Sequence, residues 1–342
     1  MKLSSCKMLF SKSLFTCVIG VFLCLPAVAA DTELAKGSLK QLSQSLRQLN
    51  FNTSFVVVKN NQAEPYHWLH GIIEQQSSEN ETAITENIEL EVLALLNGPR
   101  RDILRINNTV SYIEPEYAPY SISAEQIVGP IPTVFGQDIS VLENNYHFVS
   151  VGKNRVLGRA AQLIRIVPND SHRFGYWVWL DQESSLLLKL AVITNTGKLL
   201  EQIQFTHIEV TDTISENLKQ LQATELPKVI DIAAQQQNIE LTWQVNWLPD
   251  GFESIKSDRH RINTSKQTVE FMLFNDGLVD LSVYVNPSTE KQRALEFAND
   301  GATIVMNQVI NNIEVSVVGK IPSETAKQII NSVSFNRKIV SP

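Results

Sequence analysis

An α+β fold is predicted, with one large antiparallel sheet backed by helices and then a smaller α+β unit. Three observations predict it. β-Branched and aromatic runs recur at short intervals with turn residues between them. Stretches with a helical period are few. A polar, glycine-free stretch over 211–240 separates two such sets and reads as a linker.

The chain opens with Lys2, Lys7 and Lys12, an apolar run from Leu14 to Leu25, and small residues through Ala30 before Asp31. A basic head, a short apolar run and a small-residue end predict a secretory signal over 1–30. The run is shorter than the ~20 residues needed to span a bilayer. An uncleaved anchor and lipid attachment at Cys24 are the alternatives, and Val21-Phe22-Leu23 lack the small residues such attachment wants. Cys6, Cys17 and Cys24 all leave with this segment, so the mature chain is expected to hold no thiol, disulfide or thiolate metal site. The formal net charge of −7 becomes more negative once the three lysines go. That argues against nucleic acid and against non-specific binding to anionic membranes.

Ala35, Leu39, Leu42, Leu46 and Leu49 recur at helical spacing and predict an amphipathic helix. Strands follow from Thr53 to Lys59, and then in pairs. Arg101–Ile106 and Thr109–Glu114 flank Asn107-Asn108; Arg155–Val167 and Phe174–Leu180 flank Pro168-Asn169-Asp170; Leu186–Thr194 and Lys198–Val210 flank Asn195-Thr196-Gly197. Serial hairpins make an antiparallel sheet that must bury one face. The first helix and a weaker one near Ile131–Leu142 are the available covers. The linker has room for a short helix over Ile214–Leu221.

From Leu241 the strands return. Val269–Phe274 and Leu278–Val285 flank Asn275-Asp276-Gly277, and Ala302–Val309 and Ile313–Val318 flank Asn311-Asn312. A closing helix begins at Pro322, with Ala326, Ile329, Ile330 and Val333 as its apolar face. The expected domains are 31–210 and 241–338, joined by 211–240.

No nucleophile elbow, dinucleotide or phosphate loop, or zinc-protease motif is present. His67 and His70 lie three apart on a predicted strand and so on opposite faces, which suits ordinary polar histidines better than a metal pair. Glu114 and Glu116 flank Pro115, where solvated loop carboxylates are the simpler reading. Two features suggest binding. Arg100 and Arg101 follow Gly98-Pro99 and present two guanidinium forks, either to an anion or to water at a turn. Trp177 and Trp179 share one face of a strand, as sheet core or as a recognition surface.

The run Asn97-Gly98-Pro99-Arg100-Arg101, then Ser111–Pro115, Phe148–Arg155 and Val178–Asp181, resembles the sigma-E factor regulatory family RseB/MucB. The likeness continues through Trp247-Leu248-Pro249-Asp250-Gly251-Phe252, Asp276-Gly277-Leu278, Ser282–Asn286, Val318–Pro322 and Thr325–Lys327. It departs most over 75–83, which is expected to be a longer loop. The resemblance implies an open half-barrel of the LolA lipoprotein-carrier type with helices in its concavity. It also implies a periplasmic, non-enzymatic regulator without a cofactor. Its partner would be the periplasmic segment of the anti-sigma factor RseA, shielded from the site-1 protease until lipopolysaccharide or a mislocalised lipoprotein relieves it.

Candidate amphiphile contacts are Arg100, Arg101, Trp177 and Trp179. Candidate partner contacts are Trp243, Trp247, Phe252 and Phe274. A lipid or lipoprotein carrier without a regulatory role is the competing reading, and the sequence leaves homo-oligomerisation open. Small polar contacts between the domains and a hinge within 211–240 are expected, with relative motion as the default.

Overall fold

The computed structural model describes residues 25–79, 82–230, 239–261 and 268–335. The signal segment before Leu25, with its cysteines, lies outside them. Among the described residues no helix is long and apolar enough to cross a membrane.

Helix α1 (Leu25–Gln48) leads into eleven strands: β1 (Asn50–Lys59), β2 (Gln62–Glu79), β3 (Thr82–Leu95), β4 (Arg101–Ile106), β5 (Thr109–Ile113), β6 (Tyr120–Ser123), β7 (Tyr146–Val156), β8 (Arg159–Pro168), β9 (Gly175–Asp181), β10 (Leu187–Ile193) and β11 (Leu199–Thr211). They form one 11-stranded sheet in the order β6-β5-β4-β3-β2-β1-β11-β10-β9-β8-β7. Every pairing is antiparallel, and β6 and β7 are its two ends, so the sheet is open.

Burial alternates along β1, with Phe51, Thr53, Phe55 and Val57 all buried on the inner face of the sheet. Ala35, Leu39 and Leu42 of α1 close over this inner face with Phe55, Phe148, Ile164, Tyr176 and Val178. The second cover is not the helix expected over Ile131–Leu142. It is two 3-10 turns, Thr133–Gly136 and Ile139–Leu142. Proline at 130 and 132 and glycine at 136 deny the segment an α-helical ladder. Residues 75–79 and 82–83, expected as a loop, extend the β2–β3 hairpin.

The outer face is covered as well. Helix α2 (Glu216–Gln222) is capped by the Ser215 hydroxyl, which accepts from the Leu218 amide. Ile214, Leu218 and Leu221 pack on Leu69 and Leu90. A Cβ on Gly71 would stand 2.8 Å from Ile214 Cγ2 and 3.0 Å from Leu218 Cδ1, so a side chain there would force this segment to shift. Farther along, Lys228 and Ile230 exchange backbone hydrogen bonds with Ser121 of β6. The first two-thirds of the expected linker is therefore bound to the sheet, and residues 231–238 lie outside the described set.

The second unit holds β12 (Trp243–Val245), β13 (Glu253–Arg261), β14 (Thr268–Asn275), β15 (Asp280–Pro287), β16 (Gln292–Asp300), β17 (Thr303–Ile310), β18 (Ile313–Gly319), α3 (Ser323–Ser332) and β19 (Val333–Phe335). β12 pairs with β19, and the rest make a six-stranded sheet in the order β13-β14-β15-β18-β17-β16. Ala326, Ile329 and Ile330 of α3 bury against Leu281, Val283, Met306 and Val317.

Candidate functional site

Two sites concentrate polar chemistry inside this scaffold: a cleft on the inner face of the large sheet, and the seam between the two sheets.

The cleft has a volume of about 400 Å³, within the range typical of small-molecule pockets. Phe55, Trp68, Leu93, Leu46, Ile127 and Ile131 supply apolar walls. One wall is ionic. Arg105 Nε donates to Glu91 (2.7 Å) and its Nη2 to Glu89 (2.5 Å), and Trp68 Nε1 donates to the other oxygen of Glu91 (2.6 Å). His70, 1% exposed, faces Glu89 with Nε2 at 2.9 Å and the Leu49 carbonyl with Nδ1 at 2.7 Å. Both ring nitrogens thus meet oxygen atoms. The ring also stacks on Phe51 and sits at the carbonyl end of α1.

Burial alone would raise the Glu89 carboxyl, but hydrogen bonds and charge from His70 and Arg105 outweigh it and hold it at about 2. The folded value lies below the ordinary 4.5. The group therefore stabilises the fold above pH 4.5, and this contribution is lost as pH falls from there toward 2. A Glu89→Gln chain should lose less stability than the parent across that window in urea titrations at successive pH values. Parallel losses would contradict the assignment.

The seam is built on Arg173, which is 1% exposed in the loop between β8 and β9. Its Nε donates to Asp276 Oδ2 (2.7 Å), and its terminal nitrogens donate to Asp170 and to the Asp250 carbonyl. The Tyr146 hydroxyl, from β7, donates to the same Asp276 oxygen at 2.7 Å. Asp276 Oδ1 accepts the amides of Leu278 and Val279, fixing the β14–β15 turn. The guanidinium lies over the Tyr146 and Phe252 rings at 5.8 and 5.0 Å. Burial lowers Arg173, but its bond to Asp276 and the nearby acids prevail and hold it above its ordinary value; burial and Asp276 push the Tyr146 phenol up, so it stays a donor.

The seam continues through Lys320 to Glu201, Lys59 to Asp300 (2.6 Å), Asn60 to the Asn299 carbonyl (3.2 Å) and the His172 ring edge-on to Trp247 (5.1 Å). Gly251 (φ +83°) and Gly277 (φ +97°) let two turns of the small unit approach the large one. A Cβ on Gly251 would fall 2.0 Å from Asn145 Oδ1, and one on Gly277 2.9 Å from Leu142 Cδ2. Arg173 and Asp276 are both withdrawn from water, so the polar contact between the two units includes a buried ionic joint.

The candidate residues divide as follows. Arg100 is exposed and ion-paired with Asp102 (2.5 Å), while Arg101 lines a smaller cleft beside Tyr66 and Glu114 that shares Leu93, Gly129 and Pro130 with the main one. Trp177 and Trp179 lie on the outer face, away from both clefts, under Arg165 and Lys189 (5.6 and 4.8 Å). The four proposed amphiphile contacts are therefore not one site. Trp243 and Phe274 are 2% and 4% exposed in the core of the small unit. Phe252 is buried at the seam under Arg173, and Trp247 is half-buried against His172. These four residues build the small unit and its joint, and do not form a free surface. His67 does face away from His70, bonding Asn52 (2.7 Å) on β1.

Two models of the MucB/RseB family match the chain in tandem, the N-terminal domain over residues 34–230 and the C-terminal domain over 237–334. The chain belongs to the MucB/RseB family. The sigma-E factor regulatory protein RseB of Escherichia coli K12 is 29% identical over 310 residues, covering 90% of this chain and 93% of that one. The sigma factor AlgU regulatory protein MucB of Pseudomonas aeruginosa is 28% identical over 321 residues, covering 92% and 95%. Among solved structures, MucB in the Pseudomonas aeruginosa MucA/MucB complex matches with a TM-score of 0.67 at 27% identity, covering 88% of this chain and 99% of that one. A second structure, MucB bound to periplasmic MucA, matches at 0.65 and 26% over the same shares. Two of the blocks that carry the MucB/RseB resemblance, Trp247–Phe252 and Asp276–Leu278, meet at the seam.

Proposed function

We propose that this chain is a non-enzymatic regulator of the periplasm that binds the periplasmic segment of an anti-sigma factor and shields it from site-1 proteolysis. The observation that carries this reading is the match of both family domains, in order, together with the likeness to MucB in its complex with MucA over 88% of the chain. An amphiphile, lipopolysaccharide or the acyl chain of a mislocalised lipoprotein, relieves the shielding. The inner-face cleft is the suitable receptor: apolar walls for a chain and ionic groups at one side for a head group. Ligand and partner then oppose each other by linkage, and a coupling of ~1–3 kcal/mol suffices for a 5–150-fold change in affinity.

The cleft also suits the competing carrier reading. Calorimetry of the purified chain with the periplasmic segment of its cognate anti-sigma factor separates the two. A regulator binds the segment, and added lipopolysaccharide weakens that binding at least fivefold. A chain that takes up lipid and ignores the segment is a carrier.

A further inference from the structure

The two open ends of the large sheet, β6 and β7, are joined in sequence by residues 124–145. Val134, Phe135, Ile139 and Leu142 of this segment bury in the inner core with Leu39 and Leu42 of α1, so it crosses the inner face of the sheet as a strap. Its first half is one wall of the cleft. Gln126, Ile127, Gly129, Ile131 and Asp138 face the cavity opposite Phe55, Trp68 and Leu93 of the sheet. The two walls are held very differently. β1, β2 and β3 are hydrogen-bonded to a neighbouring strand on both sides. Among the described residues the strap's backbone-to-backbone hydrogen bonds run within its own 3-10 turns, except at its ends. There the Ala124 amide donates to the Asn108 carbonyl (3.0 Å), and the Asn145 carbonyl accepts from the Asn169 amide (2.9 Å). Short 3-10 turns have poor hydrogen-bond geometry, and a segment without ladder bonds yields before a sheet does.

The far end of the strap belongs to the seam. Val141 and Leu142 stand against the turn at Gly277, where a Cβ would fall 3.4 Å from Val141 Cγ2 and 2.9 Å from Leu142 Cδ2. Asn145 Nδ2 donates to the Asp276 carbonyl (3.2 Å), and the same side chain fills the space beside Gly251. Cleft wall and seam contact are therefore the two ends of one short segment. The stretch between them is wound without slack. Asp138 Oδ1 accepts from the Ser140 amide (3.0 Å), the Ser140 carbonyl from the Glu143 amide (3.1 Å), and the Leu142 carbonyl from the Asn145 amide (3.0 Å). Ile139 and Leu142 are buried beneath it. A close-packed element of this kind passes a displacement at one end on to the other.

We propose that the strap over 124–145 is a coupling element: an occupant of the cleft lifts it from the sheet and so loosens its hold on the small unit's turns at Gly251 and Gly277. The inference rests on the proposed function in that the occupant is an amphiphile. A chain entering between the two walls displaces the strap, because the sheet can make room only by breaking its ladders. The strap's contacts with the two turns then weaken, while the Arg173–Asp276 pair, which the strap does not carry, stays closed. Occupancy of the cleft and closure of the strap on the small unit oppose each other, and each lowers the other by the same factor. An amphiphile thus acts on the small unit without touching it.

The first test needs no ligand. A Cβ on Gly129 would stand 2.7 Å from Leu93 Cδ2, and Leu93 is itself buried, so Gly129→Val wedges the strap away from the sheet. Amide hydrogen exchange is read in the full chain. The amides of 276–279 should exchange about fivefold faster in the variant than in the parent, and those of α2, on the opposite face of the sheet, at the parent rate. Unchanged rates at 276–279, or a rise shared equally by α2, would overturn the coupling. The second test uses dodecanoate below its micelle concentration and the Val141→Ala, Asn145→Ala variant, which keeps the cleft wall and frees the strap from the turns. The variant should bind dodecanoate about fivefold more tightly than the parent, since the strap lifts without giving up its seam contacts. Equal affinities would overturn the coupling as well, and this arm decides if Gly129→Val does not fold. If the parent takes up no dodecanoate, the amphiphile reading of the cleft fails by itself, and the exchange rates of Gly129→Val decide the strap.

Discussion

Replacing Asp276 with Ala should cost about 3–5 kcal/mol of folding stability, the usual loss when one partner of a buried ion pair is removed. Asp276 has a side chain at 0% exposure and Arg173 one at 1%, so the guanidinium, left with Asp170 and the Asp250 carbonyl, has no water to take the place of Asp276. The change also strips the Tyr146 hydroxyl of its acceptor and the Leu278 and Val279 amides of theirs. Urea unfolding at neutral pH measures it. The double replacement Arg173→Met, Asp276→Leu should recover a large part of the loss, because an apolar pair removes the unmatched charge along with the match. A loss below about 1 kcal/mol for Asp276→Ala would be that of a surface pair, and would show that the seam is open to solvent.

The second large effect is expected at Arg105. Its guanidinium spans Glu89 and Glu91, and its side chain is 4% exposed. Arg105→Met leaves two carboxylates side by side at the cleft wall without the guanidinium that spans them. We expect a loss of about 3–5 kcal/mol at neutral pH. It should shrink as the medium is acidified and Glu89, held low in part by Arg105, takes up its proton, so the curves of parent and variant should converge toward acid. Curves that stay parallel from pH 7 to pH 3 would show that Arg105 does not hold Glu89 ionised.

Much of the architecture is legible in the sequence because hairpin chemistry is local. Asn107-Asn108, Asn195-Thr196-Gly197 and Asn311-Asn312 each close the turn they predict, with left-handed backbone at Asn107, Gly197, Asn311 and Asn312. The α1 stripe of Ala35, Leu39 and Leu42 buries as its spacing requires. The covers of the sheet are less legible. Ile131–Leu142 has apolar residues at helical intervals, yet its prolines and Gly136 break the ladder into 3-10 turns.

The sites are harder still to read, because their partners are distant in sequence. Glu89 and Glu91 alternate with Leu90 and Val92, and a half-buried strand of that pattern would place its acids in water. Here α2 takes the apolar face, and the acids turn inward to Arg105. Asn275-Asp276-Gly277 does close a hairpin, but the same Asp276 also binds Arg173, a residue 103 positions away. No local pattern announces such a pair. The aromatic residues Trp243, Phe252 and Phe274 are buried, and their prominence in the sequence reflects the small core and its joint.

The seam changes how regulation can work. A hinge within 211–240 would have to act past α2 and the bridge from Val229 to Ser121, both of which tie that stretch to the large sheet. Any reorientation of the two units must also separate Arg173 from Asp276. Partner or amphiphile would therefore need to supply several kcal/mol of differential binding to move the domains. Binding at the cleft with the seam closed requires no such separation.

The most direct measurement is the rate at which the site-1 protease cuts the periplasmic segment of the cognate anti-sigma factor, with and without a stoichiometric excess of this chain. The expected result is a rate at least tenfold lower in its presence, returning toward the unprotected rate when lipopolysaccharide is added. An unchanged cleavage rate under conditions where the chain is folded would contradict its role as a shield.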